Sequence, residues 1–241
     1  MTADWGDVQP NDDFGCDMND LSDPAIDVYD NAMFIIALDY LLEMAPDSPQ
    51  ASRWKSLREG IERNVRAHLW DVKRQKFIPH IYPEKSPIPE GFDELAIHYH
   101  GGTAIAIEAG LLSEDEIRTV NAQMLENVRL SGMPSIGLTL YPVYPDGFFH
   151  GGMSKAYLYQ NGGDWTWFGG RMIQQLVVNG MVEEAYAEIH PMIERVIQND
   201  GFYEWYGKGG VPSGSGNFKG SAGVLSKAIE LLRDWAEKNK S

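Results

Sequence analysis

The chain has 241 residues with 43% hydrophobic side chains, enough to bury one large core or two small ones. Its formal net charge of -15 would be repelled by nucleic acid and by an anionic membrane surface, which leaves neutral or cationic partners. The single cysteine, Cys16, excludes an internal disulfide, and no Cys/His spacing matches a structural zinc site.

No apolar run approaches the roughly eighteen residues that span a bilayer, and the opening MTADWGD lacks the basic and apolar regions of a signal peptide. The expectation is a soluble chain, cytoplasmic or periplasmic, with no metal, no cofactor, no membrane and no nucleic-acid partner.

Seven helical patterns follow in order. The first covers about 25–44, with Ala32, Ile35, Ile36, Leu38, Leu41 and Leu42 spreading apolar surface around most of the helix. After PDSP at 46–49 the second runs to about 70, charged on one side (Lys55, Arg58, Glu59, Glu62) and apolar on the other (Trp54, Leu57, Ile61, Val65, Leu69). A long connection rich in Pro, Tyr and Phe, 71–94, leads to the third helix, 95–109, nearly uncharged beyond its start. Gly110 is placed to end that helix, and Ser113 with Glu116 forms a capping box for the fourth, 114–129. A second long connection, 131–164, precedes the apolar fifth helix, 165–179. Asn179 and Gly180 turn at once into the charged sixth, 182–198. A third long connection, 199–219, precedes the seventh, 221–238.

The odd-numbered helices read as apolar nearly all round and the even-numbered ones as amphipathic, so the first set is expected inside and the second outside. Short turns join each inner helix to the next outer one, which puts all three long connections at the same end of a bundle of antiparallel hairpins. A site is expected at that end.

The second long connection closes on YLYQNGGDWTWFGG at 157–170, where Asn161, Gly162 and Gly163 allow unusual backbone angles beside amides, a carboxylate and two indoles. Flat aromatic faces beside amide and acid groups suit a sugar ring, whose C–H surface stacks and whose hydroxyls need partners. Candidate contacts are Tyr159, Gln160, Asn161, Asp164, Trp165 and Trp167; the blander reading makes the two tryptophans core anchors. Two further carboxylates sit in suggestive settings: Asp7 in DWGD at 4–7, beside Trp5, and Glu204 in GFYEWYG at 201–207, flanked by Tyr203, Trp205 and Tyr206. Two acids in unlike surroundings can divide acid and base roles, as glycoside hydrolysis requires. His98 and His100, two residues apart, do not share a helix face and so make no metal pair, but either can bond a sugar hydroxyl or carry a proton. His80, Tyr82 and Asp93 are further subsite candidates.

DWGD at 4–7, YDNAMFIIAL at 29–38, GTAIAIEAG at 102–110, YQNGGDW at 159–165 and YEWYG at 203–207 resemble, in that order, the six-hairpin glycosidases, above all the amylo-alpha-1,6-glucosidase domains of debranching enzymes and the neutral invertases. The resemblance covers nearly the whole chain and implies an all-α fold, an (α/α)6 toroid, with residues 1–241 forming one domain that matches the C-terminal portion of the family. It implies an inverting, exo-acting hydrolase with Asp7 as general acid, Glu204 as general base and the 159–165 segment on the non-reducing sugar. Asp164 departs from the residue usual in the family between Gly-Gly and Trp. About seven helices stand where a complete toroid has twelve, so the chain is expected either to self-associate or to lack an N-terminal half. A sugar epimerase using the histidines of the same fold, and a non-catalytic carbohydrate-binding remnant, are the alternatives.

Overall fold

The computed structural model describes residues 22–240 together with Pro10 and Asp20; Trp5, Asp7 and Cys16 lie outside the described residues. Seven α-helices are found there: α1 Val28–Met44, α2 Ala51–His68, α3 His100–Glu108, α4 Glu114–Ser131, α5 Thr166–Val178, α6 Val182–Gln198 and α7 Lys219–Lys238. Three two-stranded antiparallel ribbons decorate the long connections: β1 (Trp70–Asp71) with β2 (Lys76–Phe77), β3 (His98–Tyr99) with β4 (Leu140–Tyr141), and β5 (Trp205–Tyr206) with β6 (Pro212–Ser213). No helix among the described residues is long and apolar enough to cross a membrane.

The helix ends follow local chemistry. Asp27 caps α1, its carboxylate accepting from the Asp30 amide at 2.8 Å. The Ser113/Glu116 capping box opens α4 as expected, and Gly132, at φ 69°, closes it. The third helix starts later than its composition indicates. Glu94–Ala96 form a single 3-10 turn and His98–Tyr99 pair with Leu140–Tyr141, so the backbone groups that a longer helix would have used are taken by a ribbon.

The alternation of inner and outer helices holds. α1 packs on α3, α3 on α5 and α5 on α7, while α2, α4 and α6 lie against their preceding partners. Glycines bring the inner backbones close together. A Cβ on Gly102 of α3 would meet Val28 of α1 at 2.7 Å, and one on Gly170 of α5 would meet Val224 of α7 at 2.8 Å. Val28, Ile35, Ile105, Met172, Ile173, Leu176 and Leu225 fill the space between. The row does not close on itself: α1 leaves Phe34, Tyr40 and Met44 exposed, and α7 leaves Ile229 and Trp235 exposed. The described residues thus form an incomplete toroid of seven helices. The seventh helix differs from its expected all-round apolar character. Standing at the end of the row, it buries only Ser221, Val224, Leu225 and Ala228 and turns Lys227, Glu230, Arg233 and Asp234 outward.

The second and third connections are fastened to α6 at the loop end by a buried ion pair. Asp164, with no exposed surface, lies 2.8 Å from the Arg195 guanidinium and accepts from the Ser135 hydroxyl at 2.7 and 2.9 Å. Arg195 also donates to Thr166 at 2.7 Å and lies 4.0 Å above the Tyr206 ring. The Asp164 backbone exchanges two hydrogen bonds with Tyr206, at 2.9 and 2.8 Å, and the Trp165 amide donates to Gly137 at 2.7 Å. Removing one partner of such a pair strands a buried charge. Arg195→Met is therefore expected to lower unfolding free energy by about 3–5 kcal/mol, and Arg195→Met combined with Asp164→Leu to recover a large part of that loss, as denaturant titration would read.

Candidate active site

The chain reaches α5 through a tight curl. Tyr157 and Tyr159 both adopt left-handed angles, φ 62° and 51°, which bulky residues occupy only when their surroundings hold them there. The holding bonds are specific: Tyr157 N–H to Asn161 C=O at 2.8 Å, Gly163 N–H to Tyr159 C=O at 2.9 Å, and the Trp165 indole N–H to the same Tyr159 carbonyl at 3.2 Å. A Cβ on Gly163 would sit 2.1 Å from that carbonyl oxygen, so only glycine fits. Thr139 fixes the other side, accepting from the Gly162 amide and donating to the Gln160 carbonyl at 2.8 Å.

This curl places Gln160 and Trp165 beside Trp167 and Phe168 from the start of α5, Tyr29 from the start of α1, and Phe218 and Gly220 at the start of α7. Together they line a cavity of about 250 Å³. The rings meet mostly edge to face: Tyr29 on Phe168 at 6.1 Å, Tyr159 on Trp165 at 5.0 Å and Trp165 on Phe218 at 6.3 Å between centroids. Trp167 lies beneath the Arg171 guanidinium at 4.5 Å, and Arg171 is paired with Glu108 at 2.7 Å. Burial pushes the Tyr29 hydroxyl upward in pKa, while the charge of Arg171 and a bond from Trp167 pull it back. Among the described residues the cavity lining is uncharged and aromatic and includes one amide side chain.

Glu204 lies on the connection that ends at Phe218. It is half-buried, its amide donates to the Ser215 carbonyl at 3.0 Å, and its carboxylate accepts from the Ser215 amide at 3.3 Å. Gly214, at φ 69°, is held to glycine twice over, since a Cβ there would come within 2.4 Å of the Glu204 carboxylate. Next along the chain, Trp205 is buried and turned to Tyr159, 6.1 Å between centroids.

No family model matches the sequence, and no curated protein matches it. Solved structures do. The GH63 mannosylglycerate hydrolase from Thermus thermophilus in complex with glucose superposes with a TM-score of 0.60 at 18% identity, over 87% of this chain and 45% of that one. The same hydrolase with Tris and D-glycerate gives 0.60 at 16% identity over 87% and 46%, and an uncharacterized conserved protein from the same organism gives 0.60 at 16% over 87% and 47%. The chain has their fold. It spans under half their length, as the open row of helices indicates.

Within this partial toroid the candidate residues separate into groups. Gln160, Trp165 and Trp167 line the cavity; Tyr159 meets Trp165 edge to face, and Trp205 meets Tyr159 in the same way. Asn161 is wholly buried and spends its amide on the Tyr144 backbone, accepting at 2.9 Å and donating at 3.1 Å. Asp164 is likewise engaged by Arg195 and Ser135, so its carboxylate is held inside the fold. Tyr203 packs on Tyr206 and against Gly216. His80 and Tyr82 gather around Glu94, Asp93 precedes that residue, and none of the four is in the cavity lining.

His100 is enclosed and bonded to Asn127 at 3.1 Å, and His98 opens on a lateral hollow against Arg118, Gln123 and Glu126 of α4. Neither lines the aromatic cavity. Sequence reasoning misses Tyr29, Phe168 and Phe218 as cavity-lining residues; the available signal is an aromatic residue at or just before the first turn of α1, α5 and α7, where the loop end begins.

Burial holds His98 down to about 4 and His100 to about 3, each depressed further by nearby charge. Unfolded histidine titrates near 6.5, so between that value and about 4 the unfolded chain binds protons that the folded chain does not. This contribution to stability is complete above pH 6.5 and is lost as pH falls. Melting temperature is expected to drop between pH 6.5 and 4.5, above the ordinary glutamate value of 4.5, and the drop should be shallower in His98→Gln. An unchanged melting temperature across that interval would contradict the placement of both rings.

Proposed function

We propose that this chain is the C-terminal portion of a glycoside hydrolase, one domain over 1–241, acting by inversion on a non-reducing-end sugar. The observation that carries the reading is the aromatic cavity at the loop end, formed by Gln160, Trp165, Trp167, Tyr29, Phe168 and Phe218. The connection that supplies Phe218 also carries Glu204. The fold is shared with a GH63 mannosylglycerate hydrolase that has been solved in complex with glucose.

In this scheme a sugar ring lies against the Trp165 and Trp167 faces while Gln160 bonds a hydroxyl. Asp7, assigned by its DWGD motif, protonates the glycosidic oxygen as the bond to the anomeric carbon breaks. Glu204 removes a proton from a water that attacks the same carbon from the opposite face, so the product emerges with inverted configuration. An inverting pair stands about 6.5–9.5 Å apart to admit that water. The bond from the Ser215 amide holds the base carboxylate in one orientation. The exposed apolar side chains of α1 and α7 call for a covering surface, supplied by a second chain or by an N-terminal half of the toroid.

Glu204→Gln is expected to lower kcat on a p-nitrophenyl glycoside by about 10²–10⁴-fold while sugar affinity changes by no more than a few-fold. Proton NMR of the first-formed product should show the opposite anomer. Full activity in Glu204→Gln would overturn the assignment, and a retained anomer would overturn inversion.

A further inference from the structure

We propose that Glu94 is a second recognition carboxylate of the loop end, binding a sugar hydroxyl through its Oε2. The inference rests on the sugar-binding reading above and adds to it a residue that neither motif nor composition singles out.

Glu94 stands in the single 3-10 turn before β3, with 9% of its surface exposed. Three donors converge on one of its oxygens: Tyr82 Oη at 2.8 Å, Tyr144 Oη at 2.7 Å and His80 Nδ1 at 2.7 Å all meet Oε1. None of these bonds falls on Oε2, and Oε2 is not among the fully enclosed, unpartnered polar atoms of the described residues. A carboxylate has about four acceptor sites over its two oxygens, so half of this one is locked and the other half stays open.

The contrast with Asp164 is informative. Both are buried acids at the loop end, but Asp164 has a guanidinium against it, whereas among the described residues Glu94 meets two phenols and an imidazole. Keeping an acid where no permanent cation matches it is costly to the fold, and such positions concentrate at binding and catalytic sites.

Glu94 is coupled to the aromatic cavity along two routes. Through Tyr144 it reaches Asn161, which is bonded to the Tyr144 backbone and precedes Gly162 and follows Gln160 in the curl. Through His80 it reaches Tyr99, 5.7 Å away between ring centroids, and Tyr99 leads into α3, where Gly101 abuts the Phe168 ring. Phe92, two residues before Glu94, stacks on Tyr144 at 5.5 Å, so aromatic rings neighbour the turn that carries the carboxylate. An acceptor beside an aromatic face is matched by a sugar, which offers hydroxyl hydrogens at its rim and C–H groups on its flat side.

The test is calorimetric titration of the 241-residue chain with D-glucose, D-mannose and D-galactose and with their monodeoxy analogues. A hydrogen bond to a charged acceptor corresponds to about a tenfold to hundredfold change in affinity. Wild type should lose that factor with one deoxy analogue. Glu94→Gln should lose it with the parent sugar and bind that same analogue as wild type does.

A structural role would instead weaken parent and analogues alike, and that result, or unchanged binding in Glu94→Gln, would overturn the inference while leaving the hydrolase reading intact. A folded wild-type chain that binds no sugar would overturn both. Should Glu94→Gln fail to fold, Tyr82→Phe serves: it should weaken binding several-fold for the same hydroxyl only, and selectivity identical to wild type would overturn the inference.

Discussion

The arrangement of the loop end depends on one buried pair. Asp164 and Arg195 join the segment entering α5 to the last turns of α6, and through Tyr206 they reach the connection that bears Glu204. A salt bridge withdrawn from water contributes less net stability than its short distance implies, because both ions lose hydration. Its value here is geometric. Asp164 can satisfy Arg195, Ser135 and the Tyr206 backbone at once only in a single arrangement, and that arrangement sets Trp165 as the residue from which α5 starts.

From that anchor the rest of the cavity follows by packing. The curl at 157–163 holds two tyrosines in left-handed geometry, an unfavourable conformation offset by the hydrogen bonds that close it. Helical glycines then let α3 approach α1 and α5 approach α7, so the first turns of the inner helices converge and bring Tyr29, Phe168 and Phe218 around one small hollow. Rigid helices position the rings; the connections supply the polar groups. That division suits a site in which stacking is generic and hydroxyl recognition is selective.

Much of this architecture is legible in the residues. The number of helices, their alternation between inner and outer layers and the clustering of long connections at one end all rest on apolar periodicity, a signal that survives without tertiary information. The bounds of the sixth helix and the Ser113 cap agree with the sequence pattern to the residue. Where periodicity is weak the pattern misleads. Glu94 to Tyr99 carries helix-like composition, yet Glu94–Ala96 make only a 3-10 turn and the backbone of His98 and Tyr99 is claimed by a partner strand more than forty residues later, a contact that no local pattern encodes. Asp164 looks like a ligand because acids beside tryptophans often are; its true partner, Arg195, is remote in sequence and sits in a helix that reads as an ordinary charged outer one. Glu94 escapes notice for the same reason, since Tyr144 lies on a different connection. The spans of the described residues leave Asp7 resting on its motif alone.

The central claim is that the aromatic hollow in front of the α5 start is where sugar binds. The most direct measurement is nitrogen-15 NMR of the tryptophan indoles during titration with D-glucose. Trp165, whose N–H is bonded to Tyr159, and Trp167 should shift together and saturate along one binding curve, while Trp235, exposed on α7 away from the cavity, should stay fixed. Saturable shifts confined to Trp235 or Trp54, with Trp165 and Trp167 unmoved, would contradict the account.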